Sequence, residues 1–152
     1  MSQVSILAKL KSLLDTVPAI GNTFTYVRWY KDQPAMLALF AVTTPSEQIR
    51  FWDISRTKTT ETPQVSKANT RKYTYKIRGF MSLNDAAASE TSFQALIELG
   101  CAVFRSKPTL DGAAVDASPL QVDNVTHVEV GGILCHMAEC SIVVEEDISF
   151  SE

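Results

Sequence analysis

Only two histidines occur in the chain, His127 and His136, and they flank the pair Gly131-Gly132. A two-residue Gly-Gly connection tolerates the positive φ of type I′ or II′ turns. Val122 to Val130 and Ile133 to Val144 therefore read as the arms of a β-hairpin. In that register Val130 faces Ile133, Val128 faces Cys135 and His127 faces His136. Glu129 lies on the same face as His127. Two imidazoles and a carboxylate are a Zn²⁺ ligand set, but only where all three converge on one point. Spacing alone does not bring them together, so no metal and no cofactor is expected. Nucleophilic chemistry has less to work with. No G-x-S-x-G elbow is present. Cys135 and His136 are adjacent on a strand and point to opposite faces. His136 and Cys140 share a face but stand about 13 Å apart, too far for proton exchange. The glycines at 21, 79, 100, 112, 131 and 132 form neither G-x-G-x-x-G nor a phosphate-binding loop. Three cysteines cannot all pair within the chain. Cys135 and Cys140 are about 16 Å apart along one strand, beyond disulfide reach. Buried thiols are expected, and catalysis is not.

The elements that would position these residues are readable from periodicity. Tyr73, Tyr75 and Ile77 alternate with Lys72, Thr74, Lys76 and Arg78, so Arg71 to Phe80 is a strand with one buried face. Through Ser82-Leu83-Asn84-Asp85 it leads to a helix whose apolar stripe is Phe93, Leu96, Ile97, Cys101 and Phe104. Asn84, Asp85 and Ser89 are its candidate caps. Val4 to Leu14 is a second helix, striped by Ile6, Leu7, Leu10, Leu13 and Leu14 and ended by Pro18 and Gly21. Thr23 to Tyr30 alternates and is expected to be a strand. The apolar run Ala35 to Val42 is expected to be a buried strand, with a short helix as the alternative, and Ile49 to Arg56 another strand. Trp29 and Trp52 are expected in core or interface packing. Thr57 to Asn69 has almost no apolar content and is expected to be a long loop, an arm mobile in the monomer and ordered against a neighbour. Together these give an α+β fold: a mixed, mostly antiparallel sheet, two main helices packed against it and a C-terminal β-hairpin. Residues 1–147 are expected to form a single domain with a long polar loop at 57–69. Residues 148–152 are expected to be a short acidic tail, with the chain fraying from Glu145 onward unless it docks on a partner.

Charge is distributed unevenly. The net charge is -3, but residues 56–78 carry +6 and residues 79–152 carry -10. Unlike patches of this kind suit head-to-tail self-association. A local +6 in an acidic chain is weak support for sequence-specific nucleic-acid binding. No apolar run approaches the roughly 18 residues of a membrane span. Met1-Ser2-Gln3-Val4-Ser5 has no charged segment followed by an apolar one, so no signal peptide is expected.

Several stretches, taken in order, carry a family likeness. They are Tyr73-Thr74-Tyr75-Lys76-Ile77-Arg78-Gly79-Phe80, Leu83-Asn84-Asp85-Ala86-Ala87-Ala88-Ser89-Glu90 and Phe93-Gln94-Ala95-Leu96-Ile97-Glu98. Pro108-Thr109-Leu110-Asp111-Gly112 and Gly131-Gly132-Ile133-Leu134-Cys135-His136-Met137-Ala138-Glu139 complete the set. Across roughly residues 49–147 the chain resembles the tail terminator, or tail completion, proteins of long-tailed bacteriophages, of the contractile-tailed type. The resemblance implies a structural virion protein, not an enzyme, that forms a homohexameric ring on the last ring of the tail tube protein. Such a ring ends tube polymerisation and makes the joint to the head–tail connector protein, and in contractile tails it also holds the tail sheath protein. It implies location in the virion tail or neck, host cytoplasm during assembly, and genome DNA passing through the lumen. A head-completion or neck connector protein is the alternative in the same class, and a small metal-binding or enzymatic α+β domain the alternative outside it. The family supplies no catalytic residues. From charge, Arg56, Lys58, Lys67, Arg71 and Lys72 are expected at one contact surface, and Glu145, Glu146 and Asp147 at another.

Overall fold

The structure is a computed structural model that describes residues 3–42, 48–64 and 68–149. It is an α+β fold, a mixed sheet of six strands with three helices. In chain order the elements are α1 (Gln3–Asp15), β1 (Asn22–Phe24), α2 (Gln33–Phe40), β2 (Arg50–Pro63), β3 (Ala68–Ser82), α3 (Ser89–Arg105), β4 (Asp116–Ala117), β5 (Gln121–Val130) and β6 (Ile133–Ser149). The sheet order is β1-β2-β3-β6, with β5 and β4 one after the other along the outer side of β6. Only β1 with β2 is parallel.

Strand alternation divides the sheet into two faces. On one face, Trp52 and Ile54 of β2, Tyr73, Tyr75 and Ile77 of β3, and Ala138, Cys140, Ile142 and Val144 of β6 are buried. They meet Ile6, Leu10, Leu13 and Leu14 of α1, and Phe93, Leu96, Ile97 and Phe104 of α3. These helix residues fall on one stripe each, as expected. On the other face a smaller core joins Met36 and Phe40 of α2 to Phe51, Phe80, Val130 and Cys135. Phe40 stacks on Phe51 at 3.7 Å between centroids, and Phe51 on Phe80 at 4.4 Å.

Four expectations need correction. Ala35 to Val42 is not a buried strand; its first part belongs to helix α2. The Asp32 side chain accepts a hydrogen bond from the Ala35 amide, and Pro34 lies in the first turn. Cap and proline together outweigh the apolar run. The strand expected over Thr23 to Tyr30 stops at Phe24, where pairing with Phe51 to Asp53 ends. The polar loop expected at 57–69 is largely strand: β2 runs to Pro63 and β3 begins at Ala68. The chain does not fray from Glu145 either, because β6 pairs with β3 as far as Ser149. In both cases polar residues sit in strands because backbone pairing, not apolar burial, holds them. The remainder of the tail, 150–152, lies outside the described residues.

The C-terminal hairpin has the expected register. Val130 pairs with Ile133, Val128 with Cys135 and His127 with His136. Both turn glycines have positive φ, 55° at Gly131 and 84° at Gly132, the requirement of a type I′ turn. Gly79 answers a different need. A Cβ there would stand 2.5 Å from the Trp52 indole, which packs across it. We expect Gly79→Ala to destabilise the protein by about 1–3 kcal/mol through overpacking. Urea unfolding of the two proteins checks this; an unchanged midpoint would contradict it.

Candidate functional site

Past the two cores, the distal parts of β2, β3 and β6 continue as a three-stranded antiparallel blade. Arg71 pairs with Glu61 on one side and Glu146 on the other. Arg71 Nε and Nη2 donate to Glu61 Oε1 at 3.1 and 2.9 Å, and Nη1 lies 3.3 Å from the Tyr73 hydroxyl. Hydrogen bonding to these two partners, Tyr73 first and Glu61 second, holds the guanidinium pKa above its ordinary value. Lys72 Nζ lies 3.6 Å from Glu145 Oε1. The Thr70 hydroxyl donates to Asp147 Oδ1 at 3.1 Å, and the Gln64 amide donates to Thr70 at 2.7 Å. The Arg56 guanidinium stands 5.6 Å over the Tyr73 ring. Exposed ion pairs contribute little individually. Strung along paired strands, they fix which strand neighbours which.

This placement revises the expected contact residues. Arg71 and Lys72 do not form a surface separate from Glu145, Glu146 and Asp147; they face them across the β3–β6 ladder. Glu146 is 4% exposed and continues the inward row Ala138, Cys140, Ile142 and Val144, so it is no surface residue. Arg56 and Lys58 are exposed on the outermost strand of the blade, either side of a β-bulge. Lys67 lies outside the described residues. The cause is the register: the basic and acidic segments are antiparallel neighbours, and much of the contrast in charge is met within the chain.

Two edges of the sheet are open among the described residues. β1 covers β2 only from Phe51 to Asp53, leaving the outer side of β2 beyond that without a partner strand. The regular part of that free edge is Lys58 to Pro63. On the opposite side β5 pairs only with β6, and Asn124 to Val130 is its regular part. Helix α2 packs against the Val130 end of β5, and the remainder of the strand is largely exposed. Val122 and Val125 are 41% and 39% exposed, and Asp123, His127 and Glu129 are also exposed.

Sequence reasoning missed two polar clusters. Asp53, with a side chain 3% exposed, receives Arg78 Nε at 2.9 Å and Nη2 at 2.6 Å. These bonds to Asp53 raise the Arg78 pKa, so the guanidinium stays charged. The pair forms part of the lining of a cleft of about 390 Å³ with Trp29, Tyr30 and Phe80. Of the two tryptophans expected in core or interface packing, Trp52 is in the core, and Trp29 is 87% exposed. The signal for the pair was that Asp53 follows Phe51, and Arg78 precedes Phe80, at the strand period. The second cluster is His136 with Ser89, which share a 2.7 Å hydrogen bond between Nε2 and Oγ. That resembles a base and its nucleophile. The Ser89 oxygen also accepts the Asn84 amide at 2.8 Å, and both side chains are buried. Phe93 stacks on the imidazole. The bond pins the start of α3, entered through a left-handed Ala88 with φ 54°, to β6. His127 is 5.1 Å from His136 between ring centroids. Among the described residues no three His, Cys, Asp or Glu side chains cluster as a metal site. Burial pushes the Cys135 thiol up to about 11 and that of Cys140 up to about 12, which keeps both protonated at neutral pH.

The fold and these surfaces define an α+β protein with two sheet edges unpaired among the described residues. No protein-family model and no curated protein matches the chain.

Burial, followed by the charge of His127, lowers the His136 pKa below its ordinary value. The neutral form is therefore the one the fold favours. Its stabilising effect is complete above the unfolded-state pKa of about 6.5 and is lost as pH falls through the lower folded pKa. Unfolding free energy measured from pH 7.5 down to 5 should decline, and less steeply in His136→Asn. Equal slopes would contradict the assignment. Replacing Arg78 by Met strands the Asp53 carboxylate and should cost about 3–5 kcal/mol. Asp53→Leu with Arg78→Met should recover most of that loss in the same unfolding assay.

Proposed function

We propose that the chain is a structural virion protein that caps a bacteriophage tail tube. In this reading it assembles as a homohexameric ring on the last ring of the tube protein, ends tube growth and forms the joint to the head connector. The sheath end rests on it if the tail is contractile. It works by shape and contact, with no bond made or broken, in the tail or neck of the virion and in the host cytoplasm before that. The observation that carries the reading is the polar blade formed by β2, β3 and the end of β6, whose outer edge is open. A solitary chain has no use for an ordered, charged strand edge standing clear of its cores, whereas a ring subunit needs such a surface for its neighbour. The likeness of residues 49–147 to tail terminators supplies the remainder of the argument.

Electron microscopy of particles assembled without this chain tests the reading. We expect over-long tubes or tails lacking heads, restored to uniform joined tails when the protein is added back. Normal particles in its absence would contradict the proposal.

A further inference from the structure

We propose that the free edge of β2 in one copy of the chain adds as a strand to the free edge of β5 in the next copy. This deepens the ring part of the reading above and names its contact, yet it can fail or hold whether or not the chain is a tail protein. Three observations carry it. Among the described residues both edges present backbone N–H and C=O groups with no partner strand, over runs of similar length, six residues from Lys58 to Pro63 and seven from Asn124 to Val130. An open edge gains a full row of hydrogen bonds by pairing. The edges also lie on opposite sides of one sheet, β2 on the β1 side and β5 outside β6. A contact between two different surfaces of the same molecule is head-to-tail, and it repeats from copy to copy until a ring closes.

The third observation is charge. The free part of β2 carries Arg56 and Lys58 against Glu61, and Glu61 is already held by Arg71. The β5 edge carries Asp123 and Glu129 with no Lys or Arg of its own. Two β2 edges, or two β5 edges, would set like charges together; β2 against β5 sets unlike charges together. Lys58 and Pro63 are also residues that discourage indiscriminate edge pairing. The edge thus rejects its own kind and accepts a complementary strand, which is how specificity arises by disfavouring the wrong partner. On β5 the exposed Val122 and Val125 add apolar area that a neighbouring strand would cover.

The test is a charge exchange read by sedimentation velocity. One variant carries Arg56→Glu with Lys58→Glu, the other Asp123→Lys with Glu129→Lys. The unmodified chain should form oligomers, and each variant alone should sediment as monomer. An equimolar mixture of the two should recover the oligomer, because every junction then joins unlike charges. The recovery serves as the folding control, since misfolded chains would not regain a defined assembly. Should either variant fail to fold, the unmodified chain gives the answer through salt. Its oligomer should weaken between about 0.05 and about 0.5 M NaCl as screening shortens. A purely monomeric unmodified chain overturns the proposal. So do variants that assemble unaltered, a mixture that stays monomeric although both variants fold, or an assembly insensitive to salt. The tail-tube reading is decided separately, by particle morphology.

Discussion

The ladder between β3 and β6 is the constraint from which the other features follow. Fifteen consecutive pairs run from Ala68 with Ser149 to Ser82 with Cys135. Since successive side chains alternate across a strand, one register decides the fate of every residue on both strands. It turns Tyr73, Tyr75 and Ile77 inward with Cys140, Ile142 and Val144, toward α1 and α3. It sends Arg78 to the other face, where Asp53 waits on β2. It sets His136 toward α3 within reach of Ser89. It also places the basic stretch at Arg71 and Lys72 opposite the acidic stretch at Glu145 to Asp147. A slip by one residue would bury lysines and expose the core.

The ladder continues past the point where the helices stop, and its continuation is the exposed polar blade. In the cores, β3 is stabilised by apolar burial on its inner side. Along the blade, hydrogen bonds between strands and a chain of exposed ion pairs take over. A segment held that way is ordered before it meets a partner, so association costs less conformational entropy than ordering a loose loop would. Its outer strand keeps its backbone groups unpaired on one side, a state that an isolated protein tolerates only with charges and proline along the edge. Arg56, Lys58 and Pro63 occupy such positions.

Much of this organisation was legible in the sequence, for identifiable reasons. The β3 alternation and the α3 stripe stand out because one face is apolar and the other charged. The hairpin register followed from Gly131-Gly132, since few residue pairs allow that turn. Three features were concealed. Helix α2 is short and apolar on nearly every side, so periodicity could not distinguish it from a strand; Asp32 and Pro34 were the available signals. The blade strands lack apolar residues, and hydrophobic pattern is silent where backbone pairing does the holding. Their partners lie far apart in sequence, Arg71 and Glu146 among them, so no local pattern announced that opposite charges would be neighbours. Asp53 with Arg78, and Ser89 with His136, were hidden by the same distance along the chain.

The central claim is that the β2 arm is a formed strand with one side open. Hydrogen exchange resolved by residue, on the protein diluted until it is monomeric, addresses it directly. Along Lys58 to Pro63, amides that point toward β3 should exchange slowly and amides that point outward should exchange fast, in alternation. Uniformly rapid exchange through that stretch would show a loop in place of a strand and contradict the account.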